Sequence, residues 1–189
     1  MDKQTAFHHL LGQLQTLIAD ARSKAVRAVD EIQVQTCWQV GRHLVEFEQG
    51  GAARAAYGKR LLPLLAEQLT ADFGQGFDVS NLRYMRLFYQ AFPIRDALRH
   101  ELSWTHYRLL SRLEREDARQ WYMNEAAAQN WSARALQRQM GTLFYERLLL
   151  SQDKVAVAQE AGQKLAELEQ SPRAFVRDPV MLEFLGLPG

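Results

Sequence analysis

Residues 58–93 have the sequence GKRLLPLLAEQLTADFGQGFDVSNLRYMRLFYQAFP, in which two helical patterns flank a glycine-containing turn. Apolar residues recur at helical spacing over about 58–72 and again over 79–91. Phe73-Gly-Gln-Gly-Phe77 predicts a tight turn between them, and Phe92-Pro93 predicts the end of the second helix. Two helices joined by a short turn are the layout of a helix-turn-helix, whose second helix enters the DNA major groove.

The predicted helix 79–91 has one apolar and one polar side. At 100° per residue, the apolar side carries Leu82, Met85, Phe88, Tyr89 and Phe92. The opposite arc, about 120° wide, carries Ser80, Arg83, Arg86 and Gln90. Arginine and glutamine side chains can read guanine and adenine edges or bind phosphates. We therefore predict DNA contacts from Arg83, Arg86 and Gln90, with Ser80 and Asn81 near phosphate at the helix N-terminus. An ordinary amphipathic helix with a solvated polar side explains the same pattern.

The rest of the chain is predicted to be helical as well. Proline is scarce, and neither alternating β-branched runs nor Asn-Gly or Asp-Gly hairpin signals occur. Further helices are predicted over about 3–20, 22–48, 104–113, 115–128, 133–147 and 153–169, with a linker at 170–172 and a last short helix over 179–185. The predicted fold class is all-α, a helical bundle with an N-terminal long helix hairpin and a helix-turn-helix core.

Three parts are expected along the chain. Residues 1–52 would form an antiparallel helix hairpin that self-associates, because long apolar helices often complete their burial in a second copy of the chain. Residues 53–150 would form the helix-turn-helix DNA-binding domain. Residues 151–189 would hold a polar helix, a linker and a short helix.

Charge is unevenly distributed along the 189 residues, although the formal net charge is only +1. Residues 79–147 contain eleven arginines, no lysine and seven acidic residues, which gives this segment a net charge of +4. Arginine is suited to planar, bidentate contacts with phosphate and base edges, and it is also favoured in protein interfaces. The arginine bias therefore indicates a binding surface, but it does not by itself indicate that the partner is DNA.

The predicted helix 133–147 repeats the amphipathic pattern more weakly. Leu136, Met140, Leu143 and Phe144 are expected to face inward, and Arg134, Arg138 and Tyr145 to face away. Arg134 and Arg138 are second-rank candidates for contacts with the DNA backbone, and a solvated or partner-binding side is the alternative. The aromatic residues among the arginines could stack on single strands, but their helical spacing favours a place in the core; they are Trp104, Tyr107, Trp121, Tyr122 and Trp131.

Few residues suggest catalysis. Cys37 is the single cysteine, so a disulfide framework and a multi-cysteine zinc or iron–sulfur site are both excluded. No zinc-protease helix or nucleophile elbow occurs, and Gly74-x-Gly76 follows no strand. We predict no catalytic residue, metal, cofactor or small-molecule substrate; an enzyme that uses Cys37 or His106 is a third, less favoured hypothesis. No apolar run approaches the ~20 residues that span a bilayer, and the N-terminus lacks a secretory pattern, so a cytoplasmic location without membrane contact is expected.

Several motifs together resemble the N-terminal domain of the YhcG-type bacterial proteins. They are Gly50-Gly-Ala-Arg-Ala-Ala-Tyr57-Gly58, the Phe73–Phe77 turn with Asn81-Leu82-x-x-Met85-Arg86-x-Phe88-Tyr89, Leu102-Ser-Trp-Thr-His106-Tyr, Asn130-Trp-Ser132-x-Arg134-x-Leu136-x-Arg138-Gln139, Leu143-x-Tyr145-Glu-Arg147-Leu and Asp178-Pro-x-x-Leu182-Glu-Phe184-Leu-Gly186-Leu. The resemblance implies that this helical domain precedes a PD-(D/E)XK nuclease domain, which would begin just after the Phe-Leu-Gly-Leu segment. The family's catalytic carboxylates and lysine have no counterparts in these residues, so the chain itself is expected not to be an enzyme.

A more distant resemblance concerns the DNA-binding region of ParB-like partition proteins. It rests on the order of helix, turn, Asn81-containing helix and Pro93, followed by Leu102-Ser-x-x-His106-x-Arg108-x-Leu110 and Trp131-Ser-x-Arg134-x-Leu136. In those proteins the second helix of the helix-turn-helix contacts the major groove, which corresponds to 79–91 here. The turn 73–78 is longer than usual for that motif.

Taken together, the sequence predicts a non-catalytic module that targets a nuclease to duplex or branched DNA and forms a homo-oligomer, a dimer or higher. The alternative is a protein–protein interaction or assembly module without nucleic-acid contact. The near-neutral overall charge favours this alternative, because dedicated DNA-binding domains are commonly more basic.

Overall fold

The computed structural model describes residues 3–50 and 57–169, which contain eight α-helices and no strand. The helices are α1 (Lys3–Gln49), α2 (Leu61–Phe73), α3 (Val79–Ala91), α4 (Trp104–Leu110), α5 (Glu116–Ala128), α6 (Ala133–Gly141), α7 (Phe144–Leu150) and α8 (Lys154–Glu169). Two short 3-10 turns span Gly58–Arg60 and Arg95–Ala97. The all-α helical bundle predicted from the sequence is confirmed. The linker 170–172 and the helix 179–185 lie outside the described residues.

The predicted N-terminal hairpin is wrong, because α1 is one uninterrupted helix of 47 residues. The presumed turn near Asp20-Ala-Arg22 contains neither glycine nor proline, so nothing in it ends a helix. Side chains 7–28 are all exposed, and the burial of α1 begins at Gln33. The prediction failed because it assumed that the apolar face of residues 7–18 is covered within the same chain.

The C-terminal half of α1 lies in the core. Its buried residues recur along one side of the helix: Gln33, Val34, Cys37, Trp38, Gly41, Leu44 and Val45. They pack mainly against α3, and the Trp38 Nε1–H donates to the Phe92 carbonyl oxygen at 2.7 Å. This bond fixes the end of α3 to the C-terminal half of α1.

An aromatic cluster fills the space between α3 and α4. The Phe88 ring lies 4.8 Å from Tyr107 and 5.5 Å from Trp104, measured between centroids, and Phe92 meets Tyr107 edge-on at 5.3 Å. Trp104, Tyr107, Tyr122 and Trp131 are all buried, while Trp121 is partly buried against them. The prediction that these aromatic residues belong to the core is confirmed.

The predicted helix 133–147 is interrupted in the structure. Leu143 adopts a left-handed conformation with φ 52°, which separates α6 from α7. Its side chain is 57% exposed, so the expectation that it faces inward is wrong. Leu136 and Phe144 are buried as expected. Gly141, the last residue of α6, is the one local signal for this break, since Thr142 and Leu143 are neither glycine nor proline.

Candidate nucleic-acid interface

The N-terminus of α3 is closed by a side-chain cap. The Asp78 carboxylate accepts hydrogen bonds from the backbone N–H groups of Ser80 at 2.7 Å and Asn81 at 3.1 Å. The Asn81 side chain donates to the same carboxylate at 3.0 Å and is buried. Asp78 thus satisfies two of the free N–H groups of the first turn. The geometry argues against the predicted DNA contact of Asn81, because this side chain faces the cap and the protein interior.

Arg86 is only partly available. Its Nη1 lies 2.8 Å from the Glu48 Oε1 of α1, and the two side chains are 34% and 31% exposed. The predicted helix face is therefore not bare on this side, since the end of α1 lies beside it and neutralises one of its two guanidinium groups. Gln90 is exposed and shares a groove of about 720 Å³ with Arg86, Glu48 and Tyr57.

Arg83 and Ser80 occupy the open side of α3. Both side chains are exposed. Arg83 has no ion pair or hydrogen bond to any residue in the described ranges 3–50 and 57–169. The structure thus divides the five residues of α3 that were predicted to contact DNA: Ser80, Arg83 and Gln90 are exposed, Arg86 is paired, and Asn81 is buried.

Tyr84, the residue that follows Arg83, contacts two arginines of α4 and the turn after it. The guanidinium carbon of Arg108 lies 4.8 Å from the centroid of the Tyr84 ring, and that of Arg112 lies 5.0 Å from it. An Arg112 nitrogen also donates a hydrogen bond to the Tyr84 hydroxyl at 2.5 Å. On α3 the side chain of Ser80 lies, in angle around the helix axis, between those of Arg83 and Tyr84. We call Arg83, Tyr84, Arg108 and Arg112 the arginine–tyrosine surface.

The arginine–tyrosine surface carries uncompensated positive charge. No carboxylate in the described part of the chain pairs with Arg83, Arg108 or Arg112. Other arginines do have acidic partners: Arg42 with Glu46, Arg86 with Glu48, Arg115 with Asp117 and Arg147 with Glu160. A guanidinium held over an aromatic ring keeps its charge and its hydrogen-bond donors while losing side-chain freedom.

Sequence reasoning missed this surface because it joins the middle of α3 to the end of α4. The one local signal is the i, i+4 spacing of Arg108 and Arg112, which places two cations on one side of a helical segment. Tyr84 lies at the edge of the apolar side of α3, and the sequence does not say which helix it meets.

Arg134 and Arg138 lie on a different helix. They belong to α6, which packs against α4, α5, α7 and α8. Arg134 is exposed and Arg138 half-buried, and neither has an acidic partner among the residues described. Both lack an acidic partner that would compete with a DNA phosphate, but no hydrogen bond or ion pair links them to the arginine–tyrosine surface in the described residues.

The residues considered for catalysis have structural surroundings. Cys37 is 1% exposed, and burial raises the pKa of its thiol. His106 Nδ1 lies 2.8 Å from the Ser103 hydroxyl in a capping box, and Nε2 lies 2.9 Å from the Trp131 carbonyl oxygen. Within residues 3–50 and 57–169, no group of three or more His, Cys, Asp or Glu side chains could hold a metal ion.

None of the helices in the described ranges is both long and apolar enough to cross a membrane.

Comparison with known proteins gives two matches. The family described as DUF1016 N-terminal domain matches residues 13–147. The chain is 39% identical over 204 aligned residues to a protein of Escherichia coli (strain K12) named "Putative nuclease YhcG". That alignment covers 90% of this chain and 54% of the relative, so the chain spans about half the length of the curated relative. No solved structure matches the chain, and the ParB-like resemblance therefore stays a prediction.

Proposed function

Because the chain belongs to the DUF1016 N-terminal domain family, we propose that it is the DNA-binding, non-catalytic module of a nuclease. The carboxylates and lysine that cut DNA in such a nuclease would lie in the part of the longer relative that this chain does not match. The arginine–tyrosine surface, built on Arg83, Tyr84, Arg108 and Arg112, would hold the nucleic acid.

One observation carries this proposal: the arginines of the surface lack carboxylate partners in the described ranges, whereas those at 42, 86, 115 and 147 have them. Phosphate binding needs cations whose charge is not already neutralised. Arg83 on α3 would contact base edges or phosphate, and the tyrosine-supported Arg108 and Arg112 would bind the flanking backbone. Ser80 and Gln90 lie exposed on the same helix and would add contacts on either side of Arg83.

Duplex or branched DNA is the proposed partner. We assign α3 as the recognition helix. It follows α2 after a five-residue turn in which Gly74 and Gly76 have φ values of 83° and 102°. A helix after such a turn is the element that a helix-turn-helix inserts into the major groove. Arg134 and Arg138 on α6 would add backbone contacts if the DNA extends that far.

A titration of labelled DNA tests the proposal. The full chain is titrated against duplex, four-way junction and single-stranded DNA at about 50 and about 200 mM salt. The affinity should fall steeply with salt, because each neutralised phosphate releases counterions. The variant Arg83→Gln/Arg108→Gln/Arg112→Gln should bind duplex at least tenfold more weakly and should show a shallower salt dependence, by up to about 2.7 in log–log slope for three lost phosphates.

The matched control is Arg42→Gln/Arg115→Gln/Arg147→Gln, which removes the same net charge from arginines that already pair with carboxylates. It should retain most of the affinity and the salt slope. Equal losses in the two variants would show that only net charge matters and would remove the assignment of the surface. Absence of binding to any DNA at about 50 mM salt would remove the DNA-binding function.

The second candidate function is an assembly module without nucleic-acid contact. A specific observation favours it: large apolar side chains of α1 are exposed along its N-terminal half, among them Phe7, Leu14 and Leu17. Soluble monomers rarely leave such strips uncovered. In this case the arginines would serve protein contacts, and the DNA titration above would be negative.

A further inference from the structure

The N-terminal half of α1 projects from the bundle without a partner in the described chain. Residues 7–28 are exposed throughout, and Ile32 is 58% exposed at the point where the helix enters the core. The exposed large apolar residues on this segment are Phe7, Leu10, Leu11, Leu14, Leu17, Ile18, Val26 and Ile32. An isolated helix with this much exposed apolar surface is only marginally stable in water, because most helix stability in proteins comes from packing of the apolar face.

The exposed residues of α1 include a regular coiled-coil seam. The seam residues follow one another at intervals of four, three, four, three, four, three and four: Phe7, Leu11, Leu14, Ile18, Ala21, Ala25, Ala28 and Ile32. This alternation is the a/d repeat that keeps one stripe of a helix facing a partner helix. We call these eight residues the α1 seam. It spans 25 residue steps, about 38 Å at the helical rise.

The side chains of the α1 seam are bulky at its N-terminal end and small in its second half, up to the last residue. Phe7, Leu11, Leu14 and Ile18 are bulky, whereas Ala21, Ala25 and Ala28 are small, and Ile32 closes the repeat. We propose that the α1 seams of two copies of this chain pack against each other in antiparallel orientation, with the centre between residues 19 and 20.

This orientation gives every layer at least one bulky member, and it sets a bulky residue opposite an alanine in every layer except the Phe7–Ile32 layers at the two ends. The antiparallel register pairs Phe7 with Ile32 of the partner subunit, Leu11 with Ala28 of the partner subunit, Leu14 with Ala25 of the partner subunit and Ile18 with Ala21 of the partner subunit. Large side chains opposite small ones fill a core without voids or overlap. A parallel arrangement would instead set each alanine against itself in three layers and leave those layers underpacked.

The charges beside the seam also permit this pairing. The antiparallel register places Lys24 beside Leu17 of the partner subunit, Glu31 beside Leu10 of the partner subunit and Arg22 beside Gln15 of the partner subunit. No like charges meet at these flanking positions. Residues 7–32 carry three basic and three acidic side chains, so two such segments do not repel each other by net charge.

The proposed dimer sets the spacing of the two bundles. Burial of α1 begins at residue 33, and the centre lies between 19 and 20. The points where the two helices enter their bundles would then be about 40 Å apart along the shared axis, at opposite ends. The inference does not depend on DNA binding, since it concerns only exposed residues of α1.

Sedimentation of the purified full chain, without DNA, tests the association. The wild type should sediment as a dimer that dissociates on dilution. The variant Leu11→Glu/Ile18→Glu places charges in the seam and should weaken dimerisation at least tenfold. The variant Thr16→Glu/Ser23→Glu adds the same charge on the outer side of the same helix and should dimerise like the wild type. A monomer at about 100 µM, or equal dimerisation of the two variants, overturns the proposal.

Cysteine cross-linking tests the orientation. Phe7→Cys and Ile32→Cys variants are prepared separately, mixed, and treated with a short bismaleimide; Cys37 adds little background because it is 1% exposed. The antiparallel dimer gives a cross-linked heterodimer in the mixture and none in Phe7→Cys alone, where the two thiols would be about 38 Å apart. Cross-linking of Phe7→Cys alone shows a parallel pair and overturns the proposed orientation.

Discussion

Gly41 of α1 lies against the backbone of Met85 in α3, so closely that a Cβ atom at Gly41 would stand 2.0 Å from the Met85 carbonyl oxygen and 3.1 Å from the Cβ of Tyr89. Only a glycine fits between these two helices. The contact sets the depth at which α3 lies in the bundle, and it therefore determines which α3 side chains reach solvent.

Replacing this glycine should loosen the packing of α1 against α3. We expect Gly41→Ala to lower the free energy of unfolding by about 1–3 kcal/mol, because backbone atoms rather than a flexible side chain must move. The control is Gly12→Ala, where nothing lies within 4 Å. It should leave the urea midpoint unchanged or raise it and should increase helical circular dichroism, since alanine favours helix over glycine by roughly 0.5–1 kcal/mol. A Gly41→Ala protein as stable as the wild type would contradict the close approach.

The Asn81 side chain should matter for stability and not for DNA. Asn81→Ala removes the side-chain donor to the Asp78 carboxylate, but not the two backbone donors, and should cost about 1 kcal/mol of stability, with DNA affinity changed less than about twofold. Asp78→Ala removes the cap itself and should cost about 1–2 kcal/mol. Thermal unfolding and the duplex titration measure the two effects, with Arg83→Ala as the comparison. If folded Asn81→Ala loses as much affinity as Arg83→Ala, then Asn81 does contact DNA.

Cys37 should be chemically inert in the folded protein. Cys37 is 1% exposed, so a reagent in solvent has little access to its thiol. Burial also raises the pKa of the thiol, so little of it is ionised to the reactive thiolate at neutral pH. Alkylation by iodoacetamide, followed by mass spectrometry across a urea series, should track global unfolding. Rapid modification of the native chain without urea would revive the hypothesis that Cys37 is a nucleophile.

Alkaline pH should destabilise the bundle partly through Tyr122. Burial raises the pKa of this hydroxyl to about 12 from its usual value near 10, and the hydroxyl donates to the Gln139 carbonyl oxygen at 3.2 Å. Between pH 10 and 12 the unfolded chain loses this proton and the folded chain keeps it, so stability falls as pH rises. Tyr122→Phe should be less stable at pH 7, and its stability should decline less steeply above pH 10. Parallel declines in the two proteins, measured by urea unfolding at each pH, would contradict this role.

Helix 79–91 and the burial of its apolar side follow from the sequence. The helix spans Val79–Ala91 as predicted, with Leu82, Met85 and Phe88 buried. Its start is set by Asp78 and its end by Pro93, and both signals act within one turn of the helix. The polar arc was also predicted, but it is wider than the surface that the neighbouring helices leave open.

Long-range contacts make the surface that the structure leaves open differ from the predicted polar face of α3. Arg86 meets Glu48 across 38 positions of sequence, and Tyr84 meets Arg112 across 28. Periodicity tells which side of a helix is apolar, but it does not tell which helix lies beside a given arginine. For this reason the pairing of Arg86, the burial of Asn81 and the arginine–tyrosine surface appear only in the folded bundle.

The sequence by itself determined the all-α class and the bounds of α3, because capping, helix breakers and apolar spacing are local properties of the chain. Its motifs also indicated the family. The tertiary structure decided that α1 is one helix with an exposed apolar N-terminal half, and that Arg86 pairs with Glu48 while Arg83, Arg108 and Arg112 have no carboxylate partner in the described ranges. These outcomes depend on which elements pack together, and packing is settled by the shape and charge of surfaces that lie far apart in the sequence.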